Sequence, residues 1–160
     1  MGNNKTFKKV DFSEYEGKYN EGIKELMTKT PNKIDVDTMR ANLYGYTFTQ
    51  DYADREIPDE FSMDYWAELS DEDVLTPQEE LLLKTLNSTG DGKTPETALC
   101  VIDVFQEYEY MERVEPYPEL ERKMQGYRDG VDCITFKPNS YGIEKLYFDI
   151  SRRFDVGYGF

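Results

Sequence analysis

Asn87-Ser88-Thr89-Gly90-Asp91-Gly92-Lys93 followed by Thr97-Ala98-Leu99-Cys100-Val101-Ile102-Asp103-Val104 is the stretch that decides the fold. The first part is a turn. Two glycines let the chain reverse, and Asp91 can bond its own backbone. The second part is a continuous apolar run of strand length, the pattern of a strand buried on both faces. Phe105–Val114 is ambiguous by period, and a helix is favoured, with Val104, Tyr108 and Met111 inward. Pro116 and Pro118 stop it.

Three strands follow from the same reasoning. The first runs from about Leu120 to Tyr127, and Asp129-Gly130 is a hairpin turn. The second is Val131–Lys137, with Ile134 and Phe136 on one face. Pro138–Gly142 turns the chain into the third, Ile143–Ile150. There Leu146, Phe148 and Ile150 alternate with polar neighbours, giving one wet face and one buried face. This half, residues 87–160, therefore reads as a strand–helix–sheet unit.

Upstream, the periodicity is helical. Ser13 with Glu16 suggests a capping box, and Tyr15, Tyr19, Ile23, Leu26 and Met27 share a face. Thr30-Pro31-Asn32 ends that segment. A second start at Asp37 leads through Met39, Leu43 and Tyr46. Thr76-Pro77-Gln78-Glu79 is a strong helix start, with Leu81, Leu82 and Leu86 on the buried side. Residues 13–86 are thus mainly helical and acidic, and residues 1–12 form a flexible basic arm with Lys5, Lys8 and Lys9. Met1-Gly2 followed by Thr6 fits the short N-myristoylation pattern, which carries little weight alone. The fold class is α+β in one domain over 13–160. N-terminal short helices are expected to pack on a mostly antiparallel sheet of about four strands with one helix.

Composition limits the chemistry. The chain has 160 residues, thirteen Tyr, no His and a formal charge of −14. Such acidity disfavours nucleic-acid phosphates. Without His there is no Ser-His or Cys-His nucleophile pair and no zinc-binding imidazole. No apolar run approaches the length of a membrane span, and no apolar signal region follows Met1. Cys100 and Cys133 each sit in an apolar alternation and read as small core residues, with a cross-strand disulfide the lesser option. Gly92-Lys93-Thr94 is not a phosphate loop. That motif needs Gly where Asn87 stands, with a strand before and a helix after.

Charge is concentrated in one place. Asp51–Leu83 holds twelve acids against one base, Arg55. Asp71 and Asp73 begin a calcium-loop spacing, but Leu75 and Thr76 stand where a ligand and the Gly belong. Carboxylates this dense make acid–base pairs uninformative. The functional reading is recognition of a basic protein partner by Asp59, Glu60, Phe61, Asp64, Tyr65, Trp66, Glu68, Asp71, Glu72 and Asp73. Charge would steer encounter and aromatics would anchor it. Equally, the aromatics can be the core side of amphipathic helices. No catalytic residue, metal or cofactor is expected, and oligomeric state is left open.

Two stretches carry a family likeness: Leu43-Tyr44-Gly45-Tyr46-Thr47-Phe48-Thr49-Gln50-Asp51-Tyr52, and Leu86 through Gly90-Asp91-Gly92-Lys93-Thr94-Pro95-Glu96-Thr97-Ala98, continuing in Val101-Ile102 and Leu146-Tyr147-Phe148-Asp149-Ile150-Ser151. Together they resemble the Bacteroidetes domain-of-unknown-function family number 4919. The likeness spans roughly half the chain and implies no assigned activity and no catalytic residue. Members usually begin with an export signal, and many carry a tetratricopeptide-like insert between the two stretches. The resemblance therefore implies a bacterial envelope or secreted setting, while the chain as it stands reads cytoplasmic. The function expected is a non-enzymatic recognition domain, in one form an immunity-type inhibitor of a basic bacterial toxin. The alternative is an exported envelope protein with a ligand- or glycan-binding role.

Overall fold

The turn at Gly90–Gly92 is held by its own side chains. In a computed structural model that describes residues 7–157, the Asp91 carboxylate accepts from Lys93 N at 3.0 Å and from the Thr97 hydroxyl at 2.6 Å. Gly92 adopts φ +73°, the left-handed region that favours glycine. Gly90 is required for a different reason: a Cβ there would lie 2.3 Å from the Thr97 carbonyl oxygen. The Gly92 carbonyl then accepts from Tyr147 N at 2.8 Å, so the turn feeds the sheet directly.

The structure is α+β and divides into two compact units. One unit covers Asp11–Thr85 and, among the described residues, 156–157. It contains helices α1 (Ile23–Lys29), α2 (Val36–Gly45), α3 (Gln50–Ala53), α4 (Met63–Glu68) and most of α5 (Pro77–Asn87). Its core is aromatic: Tyr44, Tyr46, Tyr52, Phe61 and Trp66 are all buried. Tyr46 meets Phe61 edge-on at 5.5 Å and Tyr52 at 6.0 Å, geometries the ring quadrupoles favour.

Helix starts follow side-chain caps. Asp35 caps α2 by accepting from Thr38 N, the Thr38 side chain and then its backbone N–H lower the Asp35 carboxyl pKa, and Ser62 caps α4 through Tyr65 N. For α5 the Thr76–Glu79 capping box is complete, at 3.1 and 2.9 Å. The Ser13–Glu16 start is corrected. Asp11 caps a short 3-10 turn over Phe12–Tyr15, the chain turns at Gly17, and α1 begins only at Ile23.

The second unit covers Leu86–Asp155 and residues 7–10. Here Lys8 N donates to Ser88 O. Lys5 and the Met1–Thr6 myristoylation pattern lie outside the described residues. This unit holds β1 (Leu99–Cys100), α6 (Val104–Arg113), β2 (Arg122–Arg128), β3 (Val131–Phe136), β4 (Lys145–Asp149) and most of α7 (Ser151–Val156). The sheet order is β1-β4-β3-β2, with β1 parallel to β4 and the other pairs antiparallel. Asp129 at φ 51° and Gly130 at φ 85° make the tight hairpin turn.

The apolar run 97–104 is buried from Ala98 to Ile102, yet only two residues form a strand. Gln106 Oε1 takes the Ile102 N–H at 2.9 Å and Asp103 caps α6 at once, so the chain leaves the sheet. The phase of α6 also differs from the apolar pattern. Gln106, Glu107, Tyr110 and Met111 point inward, while Tyr108 points out to Gln125. Helix α7 continues the chain straight after β4. Cys100 and Cys133 form no disulfide with each other, because β4 lies between their strands. Two strand spacings make about 10 Å, beyond disulfide reach.

Candidate functional site

The acidic segment 51–73 is built on α3, α4 and the loop to α5. Its acids and its aromatics separate. Asp59, Asp64, Glu68, Asp71, Glu72 and Asp73 are exposed. Phe61 and Trp66 are buried, at 0% and 4%, and Trp66 Nε1 donates to Glu60 O at 3.0 Å. They are core residues and not exposed anchors, because α4 needs an apolar face against its own unit. Glu60 is buried as well, and that burial raises its carboxyl pKa against the lowering effect of Lys24. Tyr65 is half-buried against Trp66, with the Lys24 ammonium 5.3 Å from its ring centre.

Exposed apolar groups in this region are aliphatic. Leu69 and Val74 are each 65% exposed and Leu75 37%, flanking Asp71-Glu72-Asp73. Sequence reasoning passed over them because aromatics are the stronger interface signal. The Ser70 hydroxyl accepts from Glu72 N at 3.1 Å and shapes the loop. Nearby, Asp51, Asp54 and Glu56 bring carboxylate oxygens within 4.8 Å of one another, all exposed. Burial, and then the Asp51 charge, push the Tyr46 phenol up to about 12.

The sheet unit holds a second set of acids, buried this time. Glu107 on α6 is 0% exposed and Asp132 on β3 is 6%. Neither Glu107 carboxyl oxygen makes a hydrogen bond of ordinary geometry. Burial first, and then pairing with Asp132 and the charge of Asp103, push its pKa up to about 10. Glu107 is therefore a neutral acid at neutral pH. Arg153 on α7, fully buried, pairs with Asp103 Oδ2 at 3.5 Å. A neutral acid beside a second carboxyl group is chemically able to share a proton with it, and here the two groups lie inside packed structure. Sequence reasoning missed this group, since a Glu inside a helix ordinarily reads as solvent-facing.

The fold defines an α+β protein with a small mixed sheet. A family model described as domain of unknown function (DUF4919) matches residues 68–157, and the chain belongs to that family. The match includes the exposed loop 69–75 and the buried acids of the sheet unit. No curated protein and no solved structure matches the chain. Among the described residues no helix is long and apolar enough to cross a membrane.

Proposed function

We propose that this chain is a non-enzymatic recognition domain that binds a basic protein through the loop 69–75. One observation carries the reading. Three consecutive exposed acids, Asp71-Glu72-Asp73, are flanked by the exposed aliphatic side chains of Leu69, Val74 and Leu75. The acids steer a cationic partner, and the aliphatic side chains on either side of them supply burial. The chain's net charge of −14 strengthens the long-range attraction. A specific form is an immunity-type inhibitor that covers the cationic active site of a bacterial toxin.

The test is affinity capture from the native host with the full chain. A parallel capture uses a variant carrying Asp71→Asn, Glu72→Gln, Asp73→Asn, Leu69→Ser and Val74→Ser. A basic protein retained by the first and lost by the second is the expected result. Retention by both, or by neither, overturns the proposal.

A further inference from the structure

Strand β2 ends the sheet, pairing only with β3 among the described residues. Every one of its residues is exposed. The two-residue turn makes Arg128 and Val131 a hydrogen-bonded pair, and antiparallel ladders alternate. By that alternation the N–H and C=O groups of Tyr127 and Gln125 point away from β3, outward along the free edge.

Three of the seven residues Arg122–Arg128 are basic and none is acidic, in a chain whose net charge is −14. Positive charge is thus gathered on an exposed edge strand of an acidic protein. At the strand's start a pocket of about 240 Å³ opens, whose lining includes Tyr108, Met111, Glu112, Leu120, Arg122 and Phe136. It is of a size for one apolar side chain. The Arg122 guanidinium lies 4.9 Å from the Tyr108 ring centre at its mouth. At the far end, Tyr127 stacks on Phe154 at 4.5 Å and leaves both rings partly exposed.

We propose that the outer edge of β2 accepts an extended acidic peptide as a fifth strand, seating one apolar side chain in the pocket beside Arg122. Strand addition draws its affinity from main-chain hydrogen bonds and its selectivity from pockets for alternate side chains. Charge chooses the occupant. A second copy of β2 paired antiparallel about Gln125 would set Arg122 against Arg128 twice, and like charges directly opposite are destabilising. The irregular register between Arg122 and Met124 further discourages self-pairing. A strand of Glu alternating with apolar residues meets the same bases favourably.

The probe is a capped peptide alternating Glu with Val and carrying one Leu, titrated into the isotope-labelled full chain. Backbone amide shifts confined to residues 120–128 and the pocket-lining residues are the expected result. The same peptide with Lys for Glu, and the acidic peptide N-methylated along its backbone, should both be silent. Paired substitution Arg122→Glu and Arg128→Glu, with an otherwise unchanged spectrum, should weaken binding by at least about tenfold. Absence of shifts with the acidic peptide overturns the proposal. So does equal binding of the N-methylated or Lys peptide, or an affinity unchanged by charge reversal.

Discussion

Glu107 of α6 and Asp132 of β3 are buried side by side, at 0% and 6% exposure, where a helix meets the sheet it covers. Their separation in sequence hides the relationship. Its consequence is a dependence of stability on pH with a defined sign. In the unfolded chain Glu107 releases its proton near 4.5, whereas in the folded protein it keeps the proton to about 10. The native state then binds the extra proton across that window, so stability falls as pH rises through it. The limiting slope for one such group is about 1.4 kcal/mol per pH unit. Denaturant unfolding of the whole chain at several pH values, for wild type and Glu107→Gln, checks this. The variant should lose the downward slope and be the more stable protein near neutral pH. Parallel curves for the two proteins would show that Glu107 is not held neutral.

The same residue shows why part of the fold was legible and part was not. The sheet could be read because Leu146, Phe148 and Ile150 alternate without interruption, and because Asp129-Gly130 admits few alternatives to a tight turn. The helix after Ile102 was legible as a helix, but its phase was not. Gln106 and Glu107 occupy inward positions, so the apolar pattern favoured Tyr108, which points out. Short-range competition blurred the N-terminal helices. Asp11 out-competes Ser13 as a cap, and the turn at Gly17 splits the segment. The acidic segment was legible as charge. Its division into exposed acids and buried aromatics depends on tertiary packing of α4, which no local pattern specifies.

Phe61 and Leu69 lie close in sequence and should separate stability from recognition. Phe61 is fully buried, so Phe61→Ala should cost about 3–5 kcal/mol in denaturant unfolding. Leu69 is 65% exposed, so Leu69→Ser should stay within about 0.5 kcal/mol of wild type. Partner capture should respond in the opposite order: lost with Leu69→Ser combined with Val74→Ser, and kept by whatever Phe61→Ala protein remains folded. A marked loss of stability in Leu69→Ser would place that side chain in the core.

Gly90 and Gly126 provide a contrast of two glycines in one unit. A Cβ on Gly90 would meet the Thr97 and Ala98 carbonyl oxygens at 2.3 and 2.5 Å, both main-chain atoms with little room to move. Gly90→Ala should therefore destabilise by about 1–3 kcal/mol or more. Nothing lies within 4 Å of a Cβ on Gly126 in the exposed strand β2. Gly126→Ala should be neutral or stabilising by up to about 1 kcal/mol, through reduced freedom of the unfolded chain. Thermal unfolding of the two variants, measured together, checks the ordering. Equal effects would mean that the close approach at Gly90 is not a feature of the fold.

Cys100 and Cys133 should remain separate thiols even under oxidising conditions. Their strands flank β4, so an intramolecular bridge would require the sheet to open. Their accessibilities differ as well. Cys100 is 4% exposed in β1, with its backbone N–H tied to the Thr89 hydroxyl at 2.8 Å. Cys133 is half-buried and lines an open groove with Gly126, Val131 and Tyr147. A thiol reagent added to the native protein should label Cys133 first and Cys100 only on unfolding, as read by mass spectrometry of the digested chain. Air oxidation should leave the monomer's mass unchanged. Recovery of a Cys100–Cys133 peptide from correctly folded protein would contradict the strand order itself, since only a sheet with those two strands adjacent places both sulfurs within bonding reach.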